Sequence, residues 1–422
     1  MMKKLTLGAL LVAMAVVMAG PAQAAFTVGG ENGWALSTDG IVNIFGIYAT
    51  TDAHPAGAGL SLLNMSAAED QKFGVRVGLL PSIIAFNVKA PTVGGVESNV
   101  RVAFYPNVQN NAGGWDVGGS LSGAAANIRY NTAPNIDNRE FFYTASGKYG
   151  QLLAGRALNL FQGQNILNDM TLFTAGVADM SVVRGGTSLG HIGYGYLYTN
   201  FGPQFRYTTP DMSGVKVALE VGEPYSISDA SAKQNIPRIE SEVSYAGKFS
   251  NNVTIHAWLE GLWQQDTRST DATSPGRHNT SLGVAPGVNV GIGPVGLMFS
   301  GYYGQGLGMY SAQDGAGFGH TSVDSNGDER RQWGFLAQAT YQLTDSVRLA
   351  ANYGRTDNES NDHDPDYVGL KKTNEAAVGQ VNWNLNKFTQ FTFEYIWARD
   401  SFFGIHDKIE SHQFALGTVF FW

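Results

Sequence analysis

Short segments in which apolar and polar residues alternate recur along the whole chain. In residues 253–260, for example, Val253 and Ile255 alternate with Thr254 and Glu260. Successive side chains of a β-strand point to opposite faces, so this period of two predicts strands with one apolar and one polar face. The apolar face would be the core of a soluble sandwich, or the lipid-facing surface of a membrane barrel. Local patterning does not separate these alternatives, so the choice depends on the rest of the chain.

The alternating segments number sixteen, and they are joined by seven short turns and eight longer connections. An even number of strands, with short turns at one end and long loops at the other, is the layout of antiparallel outer-membrane barrels. Sixteen to eighteen strands leave a lumen wide enough for water, whereas eight strands enclose an interior filled by side chains. The predicted strands are 38–50, 81–90, 95–106, 138–146, 150–156, 201–209, 213–223, 237–247, 252–265, 279–291, 295–308, 331–343, 346–355, 372–383, 387–398 and 408–422.

The last predicted strand is aromatic along one face. Phe414, Leu416, Phe420 and Trp422 share that face, and small or polar residues occupy most of the other. An exposed apolar terminal strand is an aggregation hazard in a soluble protein. It is stable where its apolar face meets lipid and the strand closes a barrel. This segment resembles the carboxy-terminal signature of bacterial outer-membrane barrels.

Residues 1–24 have the composition of a secretory signal peptide. Two lysines precede an apolar run over 5–18, and Ala-Gln-Ala at 22–24 supplies a cleavage site. A membrane anchor is the alternative interpretation, but the run is too short to span a bilayer comfortably. We expect residues 1–24 to be removed, which changes the formal net charge from −8 to −10 because two lysines are lost. Residues 25–422 are then predicted to form a single barrel domain.

Composition excludes several other classes of protein. No later apolar run reaches about 18 residues, so a helical membrane protein is excluded. Charged residues make up 15% of the chain and aromatic residues 12%, a mixture typical of a large sheet with aromatic girdles. Cysteine is absent, so disulfides, thiolate metal sites and cysteine nucleophiles are excluded. The acidic balance argues against nucleic acid as a partner.

Two internal motifs resemble those of the general bacterial porins. Residues 149–156 are similar to the strand ending in Gly-Arg that precedes the third loop of those proteins, and residues 206–215 are similar to the hairpin after it. The resemblance implies a 16-stranded antiparallel transmembrane β-barrel with short periplasmic turns, long extracellular loops and a third loop, about 157–200, folded into the lumen. It also implies a homotrimer in the outer membrane, in contact with lipid and lipopolysaccharide, that passes small hydrophilic solutes without cofactor or catalysis.

In porins of this kind, carboxylates of the third loop face basic residues of the opposite wall across a narrow gap. Such facing charges select solutes by size, charge and dipole. The alternative is that most of these charges only line the wall or form structural pairs. Our candidate constriction residues are Arg156, Asp169, Asp179, Arg184, Arg101, Arg206, Lys89 and Glu260.

Three further functions stay open at this point. A selective porin for carboxylates, phosphate or sugars is favoured by the basic wall residues. An outer-membrane hydrolase would need adjacent Ser and His and fewer strands, and an adhesin or structural barrel would use its long loops. The acidic run at 324–329 resembles a calcium loop but lacks the later glutamate, so we expect a solvated surface loop there.

Overall fold

The computed structural model describes most of the chain from residue 26 to the last residue. No helix within the part of the chain it describes has the length and apolarity needed to cross a membrane. The predicted signal peptide lies outside the described residues. The described ranges are 26–59, 61–63, 65, 70–108, 136–179, 188–228, 231–250, 252–269, 272, 274–311, 322–361, 364 and 367–422.

Sixteen antiparallel strands form a closed barrel, as the sequence predicted. Each strand pairs with its neighbours in chain order, and the last pairs with the first, so that Phe414 lies opposite Tyr48. The strands are β1 (Ala35–Thr51), β2 (two segments, Gln71–Arg76 and Ile83–Lys89), β3 (Glu97–Pro106), β4 (Ile136–Gly147), β5 (Gly150–Leu158), β6 (Phe201–Thr208), β7 (Val215–Gly222), β8 (Arg238–Ser250), β9 (Val253–Arg268), β10 (His278–Ile292), β11 (Val295–Gln305), β12 (Arg331–Gln342), β13 (Val347–Glu359), β14 (Lys371–Asn384), β15 (Thr389–Phe402) and β16 (Ile409–Phe421).

Strand β2 differs from its prediction because it begins earlier and is interrupted. Its first segment, Gln71–Arg76, pairs with β1 in a stretch that we had predicted to be a long connection. Between the two segments the backbone leaves the ladder: the N–H of Leu79 donates to Thr174 O at 2.7 Å and that of Leu80 to Leu172 O at 3.0 Å. Pro81 has no N–H to donate, which favours such a break. Two further short strands, Phe26–Gly29 and Ser231–Lys233, pair at the barrel ends.

The apolar face of the barrel points outward, which decides between the two alternatives left open by the pattern. On β15, Phe393 and Tyr395 are 48% and 39% exposed, whereas Thr392 and Glu394 are 1% and 0% exposed. A soluble sandwich would bury the apolar side chains and expose the charged ones. The opposite arrangement is that of a barrel whose outer surface meets lipid.

The two ends of the barrel differ in the length of their connections. At the turn end, short turns join the strands, such as residues 293–294 between β10 and β11, where Gly293 adopts a φ of +55° that suits glycine. At the loop end, longer connections join them, and the longest described in part runs from residue 159 to 200. That segment contains the one-and-a-half-turn helix α1 (Gly163–Asn168).

Candidate solute pathway

The segment 159–200, called the inner loop below, begins against the inward faces of β8 and β9. Glu260 accepts hydrogen bonds from the backbone N–H groups of Gln162 at 2.8 Å and Gln164 at 2.7 Å. Glu240 accepts one from the N–H of Phe161 at 2.7 Å. These N–H groups lie at the start of α1, where no side chain caps the helix, so the wall carboxylates satisfy them. Alternation in the strands turns both glutamates inward and thereby builds this contact.

The middle of the inner loop follows the wall from β9 to β12. The Trp258 indole N–H donates to Asn165 Oδ1 at 2.9 Å. Gln338 Oε1 accepts the N–H of Met170 at 2.6 Å, and the Gln338 side-chain amide donates to Asn168 O at 3.2 Å. Because the wall side chains supply both donors and acceptors, the loop backbone needs no sheet partner of its own here.

The far part of the inner loop reaches β14 to β16. Glu394 accepts from Thr174 Oγ1 at 2.8 Å and from the N–H groups of Ala175 at 2.9 Å and Gly176 at 3.3 Å. Gln413 accepts the N–H of Ala178 at 2.9 Å and donates to its carbonyl at 3.0 Å. The loop has therefore crossed the inside of the barrel, from β5 to the strand that closes it.

The returning part of the inner loop bonds to β13 and β14. His191 Nε2 and Asn352 Oδ1 are 2.8 Å apart, and the N–H of Gly195 donates to Thr356 Oγ1 at 3.0 Å. Asn374 donates to Gly193 O at 3.2 Å. Outgoing and returning parts together cover the inner wall of β8 to β16, while the inner faces of β3 to β7 make far fewer bonds with the described residues of the loop.

Apolar side chains of the inner loop, among them Phe161, Leu172 and Phe173, add to this attachment. Phe161 is 1% exposed, and its ring meets Tyr310 edge-on at a centroid distance of 6.1 Å. Leu172 is buried among Leu79, Tyr196 and other side chains, and the Phe173 ring meets Phe421 at 5.4 Å. Burial of such side chains stabilises the loop by roughly 1.5–3 kcal/mol each.

Arg156 was a candidate constriction residue, and the structure corrects that prediction. In the β5 ladder it lies opposite Phe141 of β4 and Pro203 of β6, whereas its neighbour Gly155 faces inward. Phe141 is 60% exposed on the outer surface, so Arg156 belongs to the outward face. Its Nη1 donates to Phe201 O at 2.7 Å. Apolar residues occupy both faces of β5, which hid the true phase of the alternation.

The loop carboxylates are structural in this arrangement, so the prediction that Asp169 and Asp179 face solutes is wrong for this structure. Both are only 1% exposed. Asp169 accepts the Tyr196 hydroxyl at 2.7 Å and the N–H of Thr171 at 2.9 Å. Burial, and after it the Asp169 carboxylate, raises the pKa of Tyr196 well above its ordinary value, so this phenol remains a donor. Arg184 lies outside the described residues.

The remaining candidates point inward, but most are neutralised or covered. Arg101 bonds to Asp39 Oδ2 at 2.9 Å and to Glu140 Oε2 at 2.8 Å. Lys89 pairs with Glu97 at 3.0 Å. Arg206 is half-buried, and its Nη1 donates to Leu158 O at 3.3 Å. Glu260 is 1% exposed beneath the inner loop, so it holds the loop and does not face solute.

A buried ion-pair cluster lies where the inner loop leaves the wall. Arg238 is fully buried, with its Nη2 2.9 Å from Glu220 and its Nε 2.7 Å from Glu240. Its Nη2 also donates to Asn159 Oδ1 at 2.9 Å, and its guanidinium lies 4.5 Å from the centre of the Tyr225 ring. The candidate list omitted this cluster. The signal in the sequence that could have found it is a basic residue followed, at every second position and therefore on the same inward face, by two glutamates.

A family model described as Gram-negative porin matches residues 9–395. No curated protein sequence matches the chain significantly. The outer membrane channel DcaP of Acinetobacter baumannii superposes with a TM-score of 0.66 at 14% identity, over 94% of this chain and 100% of that one.

Two further solved structures share the fold. An anion-selective porin from Comamonas acidovorans gives a TM-score of 0.59 at 13% identity, over 92% of this chain and 100% of that one. The trimer form of OmpT, an outer membrane protein of Vibrio cholerae, gives a TM-score of 0.51 at 11% identity, over 93% of this chain and 100% of that one. At such identities the likeness is one of fold.

Proposed function

The chain belongs to the Gram-negative porin family, and on that premise we propose that three copies form a homotrimer of separate water-filled channels. Porins are passive-diffusion channels of the bacterial outer membrane, not enzymes, and this protein is one of them. Residues 1–24 are the export signal that is removed, and residues 25–422 are the barrel domain.

We propose that the inner loop constricts the channel and that solutes pass beside the inner faces of β3 to β7. The observation that carries this is the attachment of the loop to the far wall by Glu260, Gln338, Glu394 and Gln413. A loop held there by hydrogen bonds places the passage on the opposite side of the lumen, where Arg101 and Arg206 are only half-buried. Arg101 and Arg206 on that wall are the constriction candidates we retain, with the Lys89–Glu97 pair at its turn end.

The outer surface of β5 to β7 supports the trimer. These strands have 9, 8 and 8 residues. A tilted strand of that length rises only about 20 Å, which is less than an apolar band of about 25 Å. Arg156, exposed on the same surface, has no carboxylate partner among the described residues. A neighbouring copy would cover both the short strands β5 to β7 and the charge of Arg156, while the rest of the outer surface contacts lipid and lipopolysaccharide.

Conductance in a planar bilayer tests the proposed function. Purified, unheated protein is expected to insert with three equal, ohmic steps. Complete silence would contradict the open channel, and single steps would contradict the trimer. A barrel that serves as an adhesin or scaffold would give silence.

A further inference from the structure

Charged residues on the inner wall are unevenly distributed between the two ends of the barrel. At the turn end, the inward side chains of the strand segments next to the short turns include six cations. Three carboxylates bond to two of them, and Glu220 lies opposite Arg206 in the ladder between β6 and β7. All of these residues lie in the part of the chain that the structure describes. They are Lys89, Arg101, Arg206, Lys216, Lys248 and Arg348, with Asp39, Glu97 and Glu140.

The three bonded carboxylates form ion pairs with only two of the cations. Glu97 pairs with Lys89, and Asp39 and Glu140 both bond to Arg101. The described part of the chain shows no ion pair for Lys216, Lys248 or Arg348. These three cations therefore carry positive charge that no ion pair in the described part of the chain neutralises.

Arg348 is the most informative of these cations. It is the second residue of β13, and its pairing partners across the sheet are the amides Gln342 and Asn382. Those amides are engaged elsewhere: Gln342 donates to Thr344 O at 2.7 Å, and Asn382 Oδ1 accepts from Thr392 at 2.7 Å. The Nε of Arg348 is buried without a hydrogen-bond partner. The described part of the chain offers this half-buried guanidinium no carboxylate, so the part of it that remains exposed is suited to a carboxylate or phosphate in the passage.

Lys216 occupies the corresponding position on the other side of the lumen. It is the second residue of β7, which is six strand positions from β13 in a ring of sixteen. Both residues follow directly after a short turn, so they lie at the same end of the channel. Its partner in the ladder is Ser244, which carries no charge.

From this arrangement we propose that Arg348 and Lys216 form an anion-attracting mouth at the turn end, which favours small carboxylates and phosphates over cations of the same size. The inference rests on the proposed channel function. Unpaired charges of one sign in a confined aqueous passage raise the local concentration of counter-ions. The carboxylates nearer the loop end bond to the inner loop: Glu240, Glu260 and Glu394 are buried against it, and Glu242 accepts a hydrogen bond from the Gln164 side chain at 3.0 Å.

The test is the reversal potential of single channels under a tenfold KCl gradient, with the wild type compared to Lys216→Gln/Arg348→Gln. The wild type should reverse with the anion sign. The double variant should lower the anion-to-cation permeability ratio about fourfold, since one charge acting at roughly 8 Å through water and screened by salt changes that ratio about twofold. The double variant Lys216→Glu/Arg348→Glu should reverse the sign. Inorganic phosphate, added as a second probe, should reduce the chloride current less in both variants.

Lys148→Gln/Lys387→Gln is the matched control. Both lysines lie in short turns at the same end, over the rings of Tyr149 at 4.8 Å and Phe388 at 4.7 Å, and not on the inner wall. This control should keep the wild-type ratio. A cation-selective wild type, an unchanged ratio in the double glutamine variant, or an equal shift in the control would each overturn the proposal. A silent wild type would overturn the channel itself.

Discussion

Glu394 holds Ala175 across the inside of the barrel: its Oε2 accepts the Ala175 N–H at 2.9 Å from a strand 219 positions away in the sequence. The same carboxylate accepts from Thr174 and Gly176, and Gln380 donates to it at 2.7 Å. A single inward side chain thus satisfies backbone donors that the loop cannot satisfy itself. The position of the loop in the lumen depends on such contacts.

Removing this acceptor should loosen the far part of the inner loop. Hydrogen bonds to a charged group contribute about 1.5–3 kcal/mol each, so Glu394→Ala leaves two backbone N–H groups without a strong partner. We expect more frequent current fluctuations in single channels at an unchanged number of steps. Glu410→Ala, on the outward face of β16, is the control and should match the wild type. Equally quiet currents in both variants would refute the role of Glu394.

Gly283 provides a test of the packing at the start of the loop. A Cβ at this inward position of β10 would lie 2.5 Å from Cζ of Phe161, so Gly283→Ala forces the ring to move. Overpacking of this kind costs about 1–3 kcal/mol. Thermal unfolding in detergent should show a lower midpoint for Gly283→Ala than for Gly379→Ala, whose Cβ meets nothing within 4 Å. If the two midpoints fall equally, Phe161 does not pack as described.

The alternation that predicted sixteen strands succeeded because each strand must present one face to lipid and one to water. It failed at Gln71–Arg76, where the ladder is interrupted at Leu79, Leu80 and Pro81 by contacts with the loop. It also gave the wrong face for Arg156, since Leu153 and Ala157 are apolar and inward while Leu152 and Ala154 are apolar and outward.

The site was less predictable than the fold. The pattern placed Glu260 on the inner wall, which is correct, but it contains no information about which backbone N–H groups approach that carboxylate. Asp169 could not be recognised as structural, because its partners Tyr196 and Asn352 come from a returning segment and a distant strand. Long-range pairing of this kind leaves no periodic signal in a single sequence.

Removing Arg238 alone from its buried cluster should be strongly destabilising. Replacing Arg238 with Met leaves Glu220 and Glu240 buried without their counter-charge, which we expect to cost about 3–5 kcal/mol in the free energy of unfolding. The exposed pair Lys89–Glu97, with side chains 45% and 35% exposed, should contribute about 0–1 kcal/mol. Urea unfolding of Arg238→Met and Lys89→Met compares them. Similar losses in the free energy of unfolding of the two variants would contradict the burial of the Arg238 cluster.

The proposed trimer contact on β5 can be tested with a bulky outward residue. Ala154 lies between Tyr143 of β4 and Phe205 of β6. Ala154→Trp should lower the temperature at which unheated trimers dissociate on a gel, because it obstructs the approach of a second copy. Ala351→Trp on the outward face of β13 should leave that temperature unchanged. If the β13 variant dissociates first, the contact lies elsewhere.

The central claim is that solutes pass beside the inner wall of β3 to β7, and the lack of native cysteine makes it directly testable. The decisive measurement is the single-channel current of Arg206→Cys before and after a bulky thiol reagent, with Ala351→Cys as the outward control. We predict that labelling reduces the Arg206→Cys current in three successive steps and leaves the control unchanged. Full labelling of Arg206→Cys without any loss of current would contradict the passage proposed here.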